Sequence, residues 1–290
     1  MTPTMNDKPV VLVTGVSSGI GQAIAEDLLD QGYQVFGSVR SAQDASALIA
    51  RGGSAFVPLI FDVTDTQALQ DAVNQVGHML DGRPLAGLVN NAGVSFAGPI
   101  MLQPIEEIRL TFEVNVLGLL AVTQAFLPLL GAVQNCKKAP GRIINIGSVS
   151  GAITVPFLSA YAGSKHAVEA ITQGLRRELM PFGIHVTSIE PGFIRSRLFE
   201  KAQANKPNEQ YSDTDYALPW QRFNQSLRRL EQQAKPAELV AKTVRLALQS
   251  PEPRTRYPLD LLWYVGKLLP NRMFDRVIFK ALGIERVMRP

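Results

Sequence analysis

Three residues near the middle of the chain have types and spacing suited to proton transfer. Tyr161 and Lys165 stand four residues apart, so in a helix both side chains would lie on one face. A free tyrosine has a pKa of about 10, and a nearby ammonium favours the phenolate, so we expect Lys165 to lower the pKa of Tyr161. Ser148 precedes them at the end of a predicted strand, where its hydroxyl can hydrogen-bond a carbonyl oxygen. The set indicates acid–base chemistry on an oxygen atom, although the same Tyr–Lys spacing also occurs on ordinary helix surfaces.

A second group, near the start of the chain, has the glycines that a phosphate-binding turn needs. The turn follows the pattern G-x-x-x-G-x-G and contains Gly15, Ser17, Ser18, Gly19, Ile20 and Gly21. It lies between a predicted strand and a predicted helix, whose N-terminal amides would point at an anion. Ordinary tight turns share this composition, but the position favours binding of a dinucleotide pyrophosphate.

The end of the second predicted strand indicates which dinucleotide is bound. NAD-binding proteins usually place an acidic residue there for the ribose 2′-hydroxyl, but this chain has Val39 followed by Arg40. A guanidinium can bind a 2′-phosphate, and a carboxylate would repel it. Arg40 could instead be a solvated loop residue, yet the missing acid favours NADP(H), with Ser17 or Ser18 as a further contact to the phosphate.

Strand and helix patterns alternate along the chain in a way that would position these groups. Apolar runs predict strands at residues 10–14, 34–39, 55–61, 85–89, 142–146 and 184–189. Helices are predicted at 20–31, 42–50 and 65–80, with Thr64 as the cap of the third, and two longer helical patterns flank the fifth strand. This order predicts one α/β domain over residues 1–290, a doubly wound parallel sheet of Rossmann type with helices on both faces.

Composition excludes several other classes of protein. The net charge is +4 and no dense Lys/Arg block is present, which fits an anionic ligand and argues against nucleic-acid binding. Cys136 is the only cysteine and there are three histidines, so we expect no disulfide, no metal site and a reducing cytoplasm. Residues 1–8 lack the features of a signal peptide. The apolar run 114–133 contains Asn115, Thr123, Gln124 and Pro128, which favours a buried helix over a membrane span.

These motifs together resemble the short-chain dehydrogenase/reductase family. The matching pieces occur in the family's order between residues 10 and 196: Thr14 to Gly21, Asp62-Val63, Asn90-Asn91-Ala92-Gly93, Asn115, Ser148, Tyr161 with Lys165, and Pro191-Gly192. The segments 36–40 and 90–99 and the long C-terminal extension most resemble the steroid and retinol dehydrogenase branch.

The resemblance assigns a role to each position. It makes Tyr161 the acid/base, Ser148 the group that orients the substrate oxygen, and Lys165 a ligand of the nicotinamide ribose. Asn115 would hold a helix kink and a water that relays protons through Lys165. The remaining cofactor contacts would be Asp62 and Val63 at the adenine, Asn90, Ala92 and Gly93 along the cofactor, and Pro191, Gly192, Ile194 and Ser196 at the nicotinamide end. Asp62 as a helix cap and Asn90-Asn91 as a simple turn are the alternatives.

Two segments outside the shared motifs have less certain roles. Residues 195–235 are polar and too long for an ordinary connection, so we interpret them as a lid or substrate loop. With residues 94–99 and 150–158 they would form the pocket, lined by Phe96, Phe157, Phe193, Trp220 and Phe223. Residues 254–290 form a helical extension with two apolar stripes. Packing over the substrate mouth or against a partner subunit is favoured over contact with a membrane surface.

The sequence therefore predicts an NADP(H)-dependent oxidoreductase, with NAD(H) also possible. It would interconvert a carbonyl and an alcohol on a mostly apolar small molecule, work in the cytoplasm as a homo-oligomer, and bind no nucleic acid. A reductase of activated carbon–carbon double bonds and a non-catalytic protein that senses NADP remain as alternatives.

Overall fold

The computed structural model describes residues 8–137, 139–195 and 210–282, with side chains up to residue 280. The strands are β1 (Val10–Val13), β2 (Gln34–Val39), β3 (Phe56–Ile60), β4 (Gly87–Asn90), β5 (Arg142–Ile146), β6 (His185–Glu190) and β7 (Arg256–Pro258). They form one sheet in the order β3–β2–β1–β4–β5–β6–β7, and each neighbouring pair is parallel. The six predicted strands are confirmed to within two residues at each end, whereas β7 was missed because it has only three residues.

Ten helices of the described residues surround this sheet. They are α1 (Gly19–Asp30), α2 (Ser46–Gly52), α3 (Thr66–Leu80), α4 (Ile105–Phe112), α5 (Leu119–Phe126), α6 (Ser159–Glu178), α7 (Ala217–Gln232), α8 (Glu238–Gln249), α9 (Leu261–Leu268) and α10 (Asn271–Leu282). A π-helical turn, Glu113–Gly118, joins α4 to α5. The cap of α3 is Asp65 and not Thr64, because the Asp65 carboxylate accepts from the amides of Gln67 and Ala68.

Two apolar layers cover the two faces of the sheet. On one face Ile24 and Leu28 of α1 pack with Val240 and Val244 of α8. On the other face α3 and α5 form the second layer, in which Phe126 is fully buried. Because the central strands are covered on both sides, they are mostly apolar, as expected for a parallel sheet.

The apolar run 114–133 belongs to the second layer. The helical stretch 105–130 is long and apolar enough to cross a membrane by composition, but half of its most apolar window is buried inside the fold. Val122, Phe126 and Leu130 from this stretch have no exposed surface. The expected buried helix is therefore present.

The segment 195–235 is not the continuous loop that its polarity suggested. Residues 196–209 lie outside the described part of the chain, but most of the remainder is the sixteen-residue helix α7. Trp220, Phe223 and Leu227 of α7 form a small separate core with Phe157 and Leu158, beyond the carboxyl end of β5. These few apolar residues, at helical spacing, are enough to fix a helix that is otherwise polar.

Candidate active site

The strand order reverses between β1 and β4, and a cleft of about 660 Å³ opens at the carboxyl ends of the strands there. Ligands of open α/β sheets bind at such a point. The predicted residues that line the cleft are Gly15, Ser17, Ser18, Gly19, Ile20, Gly21, Arg40, Asp62, Val63, Ala92, Gly93, Ser148, Tyr161, Lys165, Pro191, Gly192 and Ile194. Asn90 and Asn115 do not line it, and Ser196 lies outside the described residues.

The glycine-rich turn is built so that its backbone faces the cleft. Gly15 has φ +70°, a conformation that favours glycine, and its amide donates to Ser38 Oγ at 2.9 Å. A Cβ atom at Gly21 would overlap the carbonyl oxygen of Gly15, so the turn can lie against the first turn of α1 only with glycine there. The N-terminal amides of α1 are thereby left open to an anion, which fits the pyrophosphate of a dinucleotide.

Asn91, which belongs to the matching motif but was given no cofactor role, holds this turn in place. Asn91 Nδ2 donates to the carbonyl oxygens of Thr14 and Gly15, at 2.9 and 3.0 Å. Asn90, which was expected to line the cofactor, turns instead into the core, where its Nδ2 donates to Thr123 and Asn145 at 2.9 Å each. Successive side chains of a strand point to opposite faces, and this alternation would have predicted that Asn90 and Asn91 point in different directions.

The far wall of the cleft has the groups expected at the adenosine end. Arg40 follows β2 and is exposed at the cleft edge. Asp62 Oδ1 accepts from the amide and the hydroxyl of Thr64, at 3.0 and 2.8 Å, so this carboxylate shapes a turn that faces the cleft. Asp62 is thus not the cap of α3, a role that Asp65 fills.

The three candidate catalytic side chains meet between β5 and α6. Ser148 follows β5 and hydrogen-bonds the Tyr161 hydroxyl, which projects from the first turn of α6. Lys165 lies one turn further along α6, and its Nζ is 5.9 Å from the centre of the Tyr161 ring. Nζ also donates to the main-chain oxygen of Ile146 at 2.8 Å. The expected grouping of Ser148, Tyr161 and Lys165 is therefore present in the cleft.

Burial sets the protonation of the two titratable members. Burial raises the pKa of the Tyr161 phenol above its usual value, and the hydrogen bond with Ser148 opposes this increase. The expectation that Lys165 lowers this pKa is therefore wrong, because desolvation of the phenolate is the dominant effect. Burial also lowers the pKa of Lys165 to about 8, and the nearby charge of Glu169 limits that decrease. Near neutrality Tyr161 is thus protonated and able to donate.

Asn115 does not line the cleft, but it hydrogen-bonds residues next to this site. It lies in the π-helical turn, where its Oδ1 accepts from the amide of Val94 and its Nδ2 donates to the carbonyl oxygen of Val94. Nδ2 also donates to Ser164 Oγ at 3.0 Å, on α6 between Tyr161 and Lys165. The helix irregularity at Asn115 therefore positions both the cleft-lining Val94 and the helix that carries Tyr161 and Lys165.

Much of the cleft is lined by apolar side chains. Its lining includes Val94, Leu110, Val114, Val149, Ile153, Val155, Leu158, Phe193, Leu230 and Leu262. Of the five predicted aromatic residues only Phe193 lines it, while Phe157, Trp220 and Phe223 stack against one another behind the wall. Asp260 and Leu262 come from the C-terminal extension, which was expected to pack over the substrate mouth or against a partner subunit, although neither had been named as a pocket residue.

A buried charge cluster that the sequence reading also missed lies behind Lys165. Glu169 Oε2 is 2.7 Å from Arg256 Nη2, and Glu190 Oε1 is 3.7 Å from Arg256 Nε. Burial and the neighbouring Glu169 raise the pKa of Glu190 to about 8, while Ser188 and Arg256 oppose the increase. The three residues come from α6, β6 and β7, so only the folded chain brings them together.

This chain is similar in sequence and in structure to known proteins. A family model described as short chain dehydrogenase matches residues 9–207. An NADPH-dependent 3-dehydrocapnine reductase from Ornithobacterium rhinotracheale is 42% identical, with 93% of this chain and 96% of the relative covered. The bovine 17-beta-hydroxysteroid dehydrogenase type 6 is 34% identical, over 93% and 88% of the two chains. A crystal structure of a short-chain dehydrogenase from Streptomyces avermitilis superposes with a TM-score of 0.74 at 30% identity and covers 97% of each chain.

Proposed function

We propose, from the premise that this chain belongs to the short-chain dehydrogenase family, that it is an NADP(H)-dependent reductase of carbonyl groups on apolar molecules. The observation that carries the proposal is the hydrogen bond between Ser148 and Tyr161, with Lys165 one turn further along α6, at the mouth of an apolar cleft. This arrangement supports proton transfer to a substrate oxygen atom.

In the proposed reduction the substrate oxygen lies against the hydroxyls of Tyr161 and Ser148. Ser148 donates a hydrogen bond that holds the oxygen and stabilises the charge developing on it. Tyr161 then donates its proton to that oxygen, which converts the developing alkoxide into the alcohol. Lys165 stabilises the resulting phenolate through its positive charge. In oxidation the same residues act in reverse, with Tyr161 as the base.

The nicotinamide cofactor, when bound, supplies the hydride for this reaction. We propose that the backbone of the turn from Gly15 to Gly21 holds its pyrophosphate, that Asp62 and Val63 contact the adenine, and that Lys165 binds the nicotinamide ribose. Arg40 at the cleft edge supports binding of a 2′-phosphate, and therefore NADP(H), because no acidic residue replaces it at the end of β2. The name of the reductase relative, which is NADPH-dependent, agrees with this choice.

The substrate class follows from the lining of the cleft. Side chains such as Leu110, Ile153, Leu230 and Leu262 offer apolar surface, and small-molecule sites of this kind bind mostly apolar ligands. The relatives with steroid and dehydrocapnine names support a lipid-like carbonyl compound or alcohol as the substrate. We propose further that the segment 195–235 covers this substrate, because Leu230 of α7 lines the cleft.

Loss of NADPH absorbance with a panel of long-chain, steroid, retinoid and aromatic carbonyl compounds tests the function. Turnover of saturated ketones supports it and argues against a double-bond reductase. Tight NADPH binding without turnover of any compound would instead favour a sensing protein. Proteolysis of the segment 195–235 with saturating NADPH and a good substrate tests its closure, and unchanged cleavage would contradict that role.

We also propose a cellular compartment and an oligomeric state for the enzyme. We expect it to act in the cytoplasm, since Cys136 has no second cysteine with which to form a disulfide. We expect a homo-oligomer, and exposed Phe112 and Leu117 on the α4–α5 side offer apolar surface to a second copy. Sedimentation velocity measures this state directly.

A further inference from the structure

The short helix α9 presents three different sides to its surroundings. On one side Leu262 lines the cleft, and Gly266 lies so close to Ile153 that a Cβ atom would overlap it. On another side the Trp263 ring stacks at 5.5 Å from the guanidinium carbon of Arg256. The third side points away from the protein and carries Leu261, Val265 and Leu268, at helical spacing.

This third side is unusually apolar for a surface. The exposed fraction is 74% for Leu261 and 83% for Leu268. The next helix, α10, continues the pattern, because Phe274 and Ile278 are half-buried while Met273 and Val277 are exposed. We call the exposed set Leu261, Val265, Leu268, Met273 and Val277 the outer face. A soluble protein rarely leaves such a group uncovered, and such groups usually mark a binding surface.

The charges around the outer face distinguish between possible occupants. Four basic residues surround it: Lys267, Arg272, Arg276 and Lys280. Asp275 is the only acidic residue between positions 261 and 280. On α10 the spacing places Met273, Arg276, Val277 and Lys280 on one side of the helix, so apolar and basic side chains alternate there. The core of a subunit interface is depleted in charge, whereas an anionic lipid surface accepts both kinds of side chain together.

A polar hollow next to α9 also favours an anionic lipid surface as the occupant. Lys267 lines a hollow of about 340 Å³ together with Arg176, Gln173 and Thr255. Glu169 also lines it, but its carboxylate is paired with Arg256. Lys267 and Arg176 can therefore be offered to the phosphate of a lipid headgroup, while the apolar residues of α9 point into the acyl region.

We propose that the outer face docks on a bilayer that contains anionic lipids, which brings the mouth of the cleft to the lipid surface. The inner side of α9 closes over the cleft, as the sequence favoured, and the outer side is left to contact the membrane. Leu262 and Leu261 are neighbours in the chain but lie on these two sides, so an apolar molecule leaving the bilayer would meet the cleft within one helix width. Docking itself does not depend on the proposed reaction.

Sedimentation of the full chain with vesicles tests the proposal. Phosphatidylcholine vesicles are compared with vesicles in which one lipid in three is phosphatidylglycerol, and binding is expected only to the second. Leu268→Ser with Val277→Ser should weaken binding, and Arg276→Gln with Lys280→Gln should lower the partition coefficient about 25-fold, from roughly fivefold for each basic side chain. None of these four residues lines the cleft, so reduction of a water-soluble ketone should stay unchanged.

The matched controls lie on other helices. Leu246→Ser removes a comparably exposed leucine of α8, and Lys242→Gln with Arg177→Gln removes two exposed bases from α8 and α6. These variants should bind vesicles as the unmodified protein does. Absence of binding to anionic vesicles, or equal losses in the controls, would overturn the proposal. A lower oligomeric state of the Leu268→Ser, Val277→Ser protein with vesicle binding intact would overturn it too, and would identify the outer face as a subunit interface.

Discussion

Lys165 and Ile146 are joined by a hydrogen bond of 2.8 Å from the lysine Nζ to the main-chain oxygen that ends β5. The bond ties helix α6 to the sheet and fixes the ammonium next to Tyr161. Because Lys165 is buried, its positive charge is stabilised by fixed partners such as the Ile146 carbonyl oxygen and Glu169, and not by water.

The first prediction concerns the pH dependence of cofactor binding. Lys165 has a pKa of about 8, lowered by burial, so it is charged below that pH and loses its charge as the pH rises through it. NADPH affinity should therefore fall above about pH 8. Fluorescence titration between about pH 6 and pH 10 measures this. Lys165→Met should bind NADPH weakly at all these values and reduce ketones poorly; a Lys165→Met protein with the unmodified pH profile would contradict the assignment.

The second prediction concerns Tyr161. Tyr161→Phe keeps the ring and removes the proton donor, so turnover should fall by about 10²–10⁴-fold while NADPH binding persists. Tyr33→Phe is the control, because the Tyr33 hydroxyl accepts a bond from Gln249 far from the cleft. If the Tyr161→Phe enzyme kept most of its kcat, Tyr161 would have no part in proton transfer.

The third prediction concerns cofactor choice. Arg40→Ala should weaken NADPH binding by roughly 10- to 100-fold and leave NADH nearly unaffected, since one charged hydrogen bond is lost. Arg51→Ala removes another exposed arginine, paired with Asp30, and should change neither. The ratio of kcat/KM values for the two cofactors, at fixed ionic strength, measures the effect. Val39 and Arg40 both line the cleft, so Val39→Asp with Arg40→Ala should shift the preference toward NADH, because the new carboxylate can accept from the ribose 2′-hydroxyl and repels a phosphate.

The fourth prediction concerns stability and the buried pair Glu169 and Glu190. The pKa of Glu190 is about 8 in the folded protein and about 4.5 without the fold, so the folded chain holds a proton that the unfolded chain releases between these values. This contribution to stability is complete below pH 4.5 and is lost as the pH rises to about 8. Glu190→Gln should flatten the decline in Tm across this range, whereas Glu178→Gln, on the exposed side of α6, should not. Parallel Tm curves for both variants would refute the raised pKa of Glu190.

The sequence predicted the sheet well because buried parallel strands are short apolar runs between helices. It did not predict β7, whose three residues are too few to show a period, or α7, whose polar surface hides five buried positions. The contacts of Ser148, Tyr161 and Lys165 follow from local spacing along one strand end and one helix. The cluster of Glu169, Glu190 and Arg256 does not, because its members approach only through long-range packing. The direction of the Tyr161 pKa shift was missed for the same reason, since desolvation depends on the whole surrounding fold.

The cleft is assembled from two stretches of chain, one inside the range that the family model matches and one beyond it. The family model ends at residue 207, and Leu230, Asp260 and Leu262 reach the cleft from beyond that point. Substitutions in these later residues change the shape presented to a substrate and leave the proton-transferring groups untouched. Enzymes with this architecture can therefore differ in the substrate they accept while keeping the same chemistry. Exchanging the C-terminal stretch between two such enzymes should transfer the substrate preference of one to the other.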